Sequence, residues 1–159
     1  MTGKPLPSVT IYTDGACLGN PGPGGYGAVL INGDKRRELS GGFRRTTNNR
    51  MELLAAIVGL EALKRRCQVS LYSDSQYLVN AIEQGWAVRW RANGWKRNKK
   101  ERAVNPDLWT RLLDLLQEHA VKFRWVRGHS GHPENELADQ LAVAAAKQSG
   151  LQGDEGYPG

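Results

Sequence analysis

Val9-Thr-Ile-Tyr-Thr-Asp14 runs into Gly15-Ala-Cys-Leu-Gly-Asn-Pro-Gly-Pro-Gly-Gly25, then Tyr26-Gly-Ala-Val-Leu-Ile31, then Asn32-Gly33-Asp34. The first piece alternates apolar with polar side chains and is rich in β-branched and aromatic residues, which predicts a strand. The glycines and prolines of 15–25 predict a turn. Tyr26 to Ile31 predicts a second strand, and Asn32-Gly33 is a hairpin signal because both residues tolerate positive φ. Arg36 to Arg45 then reads as a third, exposed strand. Together these make an antiparallel meander.

Downstream the period changes. Met51 to Arg66 carries helical spacing through Leu54, Ile57, Val58 and Leu63, Val69 to Ser73 is a short strand, and Ser75 to Gln84 is a helix through Leu78, Ala81 and Ile82. A basic segment follows, broken at Gly94. Asn105-Pro106-Asp107 starts a helix, Asn as cap and Pro at the first helical position; it runs to about His119 and buries Leu112, Leu113 and Leu116. Val121 to Val126 alternates as a fifth strand, 128–133 is a loop, and Glu134 to Lys147 is a final helix with Leu137, Leu141 and Ala144 inward. A meander followed by strands alternating with helices predicts an α/β fold: a five-stranded mixed sheet flanked by helices. The 159 residues, 40% hydrophobic and 24% charged, fit one domain over 1–150, with 151–159 as a flexible Gly-rich tail. No apolar run reaches the length of a membrane span, and the start lacks a secretory stretch. Two cysteines, Cys17 and Cys67, make no disulfide framework, so the expected location is the cytoplasm.

The net charge of +6 is concentrated. Trp86 to Arg102 holds Arg89, Arg91, Lys96, Arg97, Lys99, Lys100 and Arg102 against Glu101, so the rest of the chain sums to zero. Trp86, Trp90 and Trp95 lie in the same segment. A solvated helix whose tryptophans cover the core is one account of it. Cations interleaved with aromatics also suit a phosphate backbone and its sugar or base faces, and the neutral remainder favours a nucleic acid.

Four acids sit at element ends: Asp14 near the end of the first strand, Glu52 in the first turn of the first helix, Asp74 after the fourth strand, Asp139 one turn into the last helix. Each has a structural account of its own. Asp14-Gly15 could be a turn, Glu52 could close a capping box with Asn49, Asp74 could cap the next helix, and Asp139 could be a surface charge. If the sheet gathers them, their repulsion calls for protons, a basic partner or a hard divalent cation. The loop 128–133 carries His129 and His132. It could serve as a zinc site, although no Cys or third His completes one, as a mobile proton carrier, or as a simple helix entry.

Four blocks occur in order: Thr13-Asp-Gly-Ala-Cys-Leu-Gly-Asn-Pro-Gly-Pro-Gly-Gly-Tyr-Gly27, Thr47-Asn-Asn-Arg-Met-Glu-Leu-Leu-Ala-Ala56, Tyr72-Ser-Asp-Ser-Gln-Tyr77 and Gly128-His-Ser-Gly-His-Pro-Glu-Asn-Glu-Leu-Ala-Asp139. The chain resembles type 1 ribonuclease H of the bacterial kind over about residues 8 to 148. The resemblance implies the ribonuclease H fold and an endonuclease that hydrolyses the RNA strand of RNA–DNA hybrids. It implies two Mg²⁺ ions, with Mn²⁺ as a substitute, and products bearing 5′-phosphate and 3′-hydroxyl. It puts Asp14, Glu52, Asp74 and Asp139 on the metals, Asp14 bridging, and makes His129 the assistant in proton transfer or product release. The segment 86–104 matches the family's basic substrate-binding protrusion.

On that reading Gly15, Cys17, Asn20, Asn48, Asn49 and Gln76 line the minor groove, where 2′-hydroxyls distinguish RNA. Thr47 and Asn20 grip a DNA phosphate. Trp86, Trp90 and Trp95 lie with Arg89, Arg91, Lys96, Lys99 and Lys100 along the DNA strand. Such contacts read shape rather than base identity, so little sequence specificity is expected. No protein partner is evident, and a monomer is expected. A duplex-binding module without catalysis, or a nuclease of DNA from the same superfamily, are the rival readings.

Overall fold

A computed structural model describes residues 6–128 and 131–158. Strands β1 (Ser8–Cys17), β2 (Gly22–Asn32) and β3 (Lys35–Thr46) form the meander, followed by α1 (Asn48–Glu61), β4 (Gln68–Ser73), α2 (Gln76–Glu83), α3 (Trp86–Ala92), α4 (Pro106–Glu118), β5 (Ala120–Trp125) and α5 (Pro133–Ala146). The sheet order is β3-β2-β1-β4-β5. β1 pairs antiparallel with β2, and β2 with β3, whereas β1–β4 and β4–β5 are parallel. The predicted mixed sheet is therefore present. Its consequence for chemistry is that the parallel pairing of β1 with β4 ends at Thr13 and Ser73, which puts Asp14 and Asp74 side by side.

The glycine-rich stretch departs from its reading as a turn. β1 continues to Cys17 and β2 begins at Gly22, leaving only 18–21 outside the ladder. The glycines serve packing instead. A Cβ on Gly25 would strike the backbone of Ala142 and Ala146, and one on Gly27 the backbone of Ala138. α5 meets the sheet through Ala138, Ala142 and Ala145, all buried, while Ala144 is exposed, contrary to expectation, and Leu137 and Leu141 are half-buried. Small residues on both sides let the helix backbone lie against the sheet. Gly25→Ala should accordingly lower stability by about 1–3 kcal/mol through overpacking, read as a loss of melting temperature. An unchanged transition would mean that α5 can retreat freely.

α1 covers the opposite part of the meander and is buried almost all round, with Met51, Leu53, Ala56, Ile57 and Leu60 in the central core alongside Ile11, Val69, Leu71, Leu112 and Trp109. It starts earlier than its apolar spacing predicts, at Asn48, because Thr47 caps it: Thr47 Oγ1 accepts from the Arg50 amide at 3.3 Å. The Asn49–Glu52 capping box is thus not formed, and Ser75 rather than Asp74 caps α2, accepting from the Leu78 amide at 3.1 Å. Asn105 stands at the start of α4 but with φ 62° and no capping bond, its Oδ1 instead accepting from Arg50 Nη1 at 3.1 Å.

Residues 152–154 are not loose. Gln152 bridges Phe43 and accepts from the Arg44 amide at 2.9 Å, and Asp154 accepts from Arg50 and from Thr46 Oγ1. A buried arginine supplies what the composition of the segment did not: a fixed charge for the chain to fold back onto.

Candidate active site

Asp14 leaves β1 on the face that carries Gly27 in the next strand, the face occupied by α5. Glu52 enters from α1, one turn after its cap. The two meet because residue 15 has no side chain: a Cβ there would lie 2.5 Å from the Glu52 amide nitrogen and 2.6 Å from the Met51 carbonyl carbon. The Gly15 amide donates to Asp14 Oδ1 at 3.0 Å and also to Glu52 Oε1. Asp74 follows β4 beside them. One carboxylate oxygen from each of Asp14, Glu52 and Asp74 falls within a cluster no wider than 4.8 Å. Asp139, half-buried on α5, lies within hydrogen-bonding reach of Asp14. The sheet and two helices thus bring together the four acids expected from the sequence.

Asp14 is 5% exposed and Glu52 3%. Burial, and after it the charges of Glu52 and Asp74, pushes the Asp14 carboxyl far above the usual carboxylate range. Burial, with the charge of Asp74 next, raises Glu52, against which the Gly15 amide and Asp14 pull downward. Both shifts signal a site short of positive charge. Oxygen-only donors in so tight a group suit a hard divalent cation better than a soft one. Asp14, Glu52, Asp74 and Asp139 are the residues that fit it. Gly128 abuts this group: a Cβ on it would lie 2.8 Å from Asp74 Oδ2. The loop that continues to the expected His129 therefore leaves from beside the acids. His129 itself lies outside the described residues.

The expected substrate residues fall into two groups. Asn20, Thr47, Asn48 and Asn49 gather around the start of α1, where Asn20 Oδ1 accepts from the Asn48 amide at 3.1 Å. Gln76 is exposed at the start of α2, next to Asp74. Cys17 belongs near the first group, but its thiol points at backbone carbonyls, 2.9 Å from Gly19 O and 3.4 Å from Thr46 O.

The second group is α3 and the finger after it. Trp86 and Trp90 are half-buried with ring centroids 6.5 Å apart, and Trp90 meets Trp109 edge-on at 5.9 Å. Their free faces line a cavity of about 700 Å³ with Asn49, Tyr77, Arg89 and Lys96. Trp95 packs on the core as well. The account in which the tryptophans cover the core therefore holds, and Trp86 and Trp90 line the cavity as well. Lys99 and Lys100 are exposed at the tip of a finger closed by the Lys96–Arg102 bridge. Arg91 has an acidic neighbour on the protein itself. Its Nη1 stands 2.9 Å from Asp114 Oδ1 of α4 in a partly exposed ion pair.

The sequence reading passed over Arg50 and Asp154. Arg50 is 2% exposed and donates to Asp107, Asp154 and Asn105 at 2.7–3.1 Å. No local pattern marks it, since its partners lie 55 to 104 positions away.

The family model for RNase H matches residues 7–147. This chain belongs to the RNase H family. It is 71% identical over 146 residues to the ribonuclease H of Desulforamulus reducens, covering 92% of each chain. It is 66% identical over 154 residues to that of Syntrophus aciditrophicus, covering 97% of this chain and 89% of the other. Among solved structures, LC9-RNase H1, described as a type 1 RNase H with the type 2 active-site motif, superposes with a TM-score of 0.81 at 36% identity, over 91% of this chain and 74% of that one. Members of the family are metal-dependent endoribonucleases, and this RNase H, with its carboxylate cluster, is one of them.

Proposed function

We propose that this RNase H is of the bacterial type 1 kind and hydrolyses the RNA strand of RNA–DNA hybrids, using two Mg²⁺ ions for which Mn²⁺ can substitute, and leaving 5′-phosphate and 3′-hydroxyl ends. The observation that carries the proposal is the convergence of Asp14, Glu52 and Asp74 within 4.8 Å, with Glu52 on the same first turns of α1 as Asn49, which lines the cavity of Trp86 and Trp90. Asp14, Glu52, Asp74 and Asp139 would hold the divalent ions, which when bound would supply positive charge for the scissile phosphate, a more acidic attacking water and stabilisation of the departing 3′-oxygen.

The protein's own contribution is placement. Burial and the Gly15 amide fix the carboxylates of Asp14 and Glu52 before substrate arrives, so little reorganisation is left for the reaction. Asp139 completes the set from α5. His129 is proposed to move a proton at the leaving oxygen or to aid product release. Asn20, Asn48, Asn49, Gln76 and backbone groups near Gly15 offer both donors and acceptors to 2′-hydroxyls. Thr47 with Asn20 holds a phosphate of the DNA strand. Trp86 and Trp90 take DNA sugars, while Arg89, Arg91, Lys96, Lys99 and Lys100 meet phosphates in a basic protrusion spanning about 86–104, which also holds Trp95. None of these groups reads a base edge, which supports cleavage with little sequence preference. The reading is of a monomer acting in the cytoplasm, in keeping with two free cysteines.

The decisive test is incubation with a hybrid labelled on the RNA strand, with and without Mg²⁺, beside duplex DNA. Metal-dependent RNA fragments with 5′-phosphates are expected. Binding without products, or cutting of duplex DNA instead, would replace this reading with one of its rivals. Neutralising Lys96, Arg97, Lys99 and Lys100 together should weaken binding and flatten its salt dependence by roughly 0.7–0.9 log units per lost phosphate contact. An unchanged slope would show that these charges do not touch the backbone.

A further inference from the structure

The chain's last described stretch is folded against the start of α1, and it forms one wall of a second cavity, of about 670 Å³. Asn20, Thr47 and Asn49 line one side of that cavity, Arg102 another, and Tyr157 and Pro158 a third. The cavity shares Asn49 and Val104 with the tryptophan-lined one, so the two are neighbours. Val104, between them, is 60% exposed.

The wall is held in place deliberately. The Tyr157 amide donates to Asp154 O at 3.1 Å, closing a turn. Asp154 anchors that turn on Arg50 Nε at 2.7 Å and Thr46 Oγ1 at 2.7 Å. Gly156 passes so close to Asp107 and Arg50 that a Cβ would collide with both. The lock joins the terminal segment to the residues on either side of Thr47, the cap of α1.

We infer that residues 154–158 are part of the nucleic-acid site: Tyr157 gives an aromatic face to a sugar of the backbone whose phosphate lies at Thr47, Asn20 and Arg102, and Asp154 is the positioning residue that keeps the wall closed. This rests on the hybrid-binding reading above. The chemistry of the lining supports it. A cation with amide and hydroxyl donors suits a phosphodiester, and a ring beside them suits the attached sugar or base. Val104 and Pro158 supply the apolar remainder. The groove so completed runs from Trp86 to Pro158, longer than the basic segment alone.

The test compares Tyr157→Ala, Tyr157→Phe and Asp154→Asn with the wild type in three measurements: hybrid affinity in EDTA by anisotropy of a labelled DNA strand, KM and kcat with Mg²⁺, and melting temperature. Tyr157→Ala should weaken affinity and raise KM by roughly tenfold, with kcat and melting temperature unchanged. Tyr157→Phe should restore wild-type affinity, because the ring face rather than the hydroxyl is used. Asp154→Asn should raise KM in the same way and also lower the melting temperature. Wild-type affinity and KM in Tyr157→Ala would overturn the inference, as would a lowered melting temperature with affinity intact, which marks a merely structural segment. Failure of the wild type to cut the hybrid would instead overturn the functional reading, while the affinity ratio between variant and wild type still decides the role of the wall.

Discussion

Asp14→Asn should cut hybrid cleavage by roughly a thousandfold, about 4 kcal/mol of transition-state stabilisation, while hybrid affinity stays near the wild-type value. The amide is the same size as the carboxyl, so packing against Gly27 and α5 survives. What disappears is the charge nearest the other three acids. The same change should stabilise the metal-free protein, because Asp14 is held in a site that resists its ionisation.

The sign can be followed through pH. Unfolded Asp and Glu ionise near about 4, whereas Asp14 and Glu52 in the fold ionise well above that, burial being the first cause and neighbouring carboxylates the second. Their contribution to stability is therefore complete below about pH 4 and is lost as pH rises toward their raised folded values. Asp107 has the opposite sign. Partial burial pushes it up, but the hydrogen bonds and charge of Arg50 prevail and hold it low, so its contribution is lost as pH falls. Melting curves in EDTA should thus show wild type losing ground to Asp14→Asn as pH rises. Added Mg²⁺ should close the gap by stabilising the wild type alone. A wild type whose melting temperature in EDTA tracks that of the variant at every pH, and ignores Mg²⁺, would mean that the carboxylates neither repel one another nor bind a cation.

The acids could be found in the sequence because their placement follows from strand order. Once β1 and β4 are read as parallel neighbours, the residues just past their last paired positions must meet, and Asp14 and Asp74 stand there. The start of α1 was harder. Its apolar period begins at Met51, but a cap fixes the first turn and the cap is Thr47, so Asn48 to Arg50 are helical without belonging to an apolar stripe. The inward face of α5 was misassigned at Ala144 because side-chain size does not reveal which alanines face a sheet; Gly25 and Gly27 on the partner strand decide that. The glycine-rich stretch misled for the same reason. Glycine permits turns and also permits close backbone approach, and only the helix across from it tells which is in use. The terminal segment reads as loose because its anchors lie about 104–108 positions earlier, Arg50 and Thr46 for Asp154 and Arg44 for Gln152.

That anchor leads to the second large effect. Arg50→Met should destabilise the protein by about 3–5 kcal/mol, since removing one partner leaves another buried charge without compensation. Asp154 is the costly one: its side chain is 9% exposed, against 42% for Asp107, which can turn to water. At this chain length that loss corresponds to a melting temperature roughly 10 °C lower. Asp154→Asn in the Arg50→Met background should then recover part of it, because a neutral amide beside Thr46 Oγ1 needs no cation. The double-mutant cycle separates the pair from the bulk of the arginine. If Arg50→Met cost less than about 1 kcal/mol, the network would be equivalent to a surface ion pair despite its burial. The geometry argues otherwise, for the guanidinium makes five bonds to three acceptor side chains. The position of Arg50, between the cap Thr47 and the carboxylate Glu52 on the first turns of α1, also means that its loss should loosen the groove before it disturbs the distant strands. KM for the hybrid should therefore rise in Arg50→Met even at temperatures where the protein remains folded.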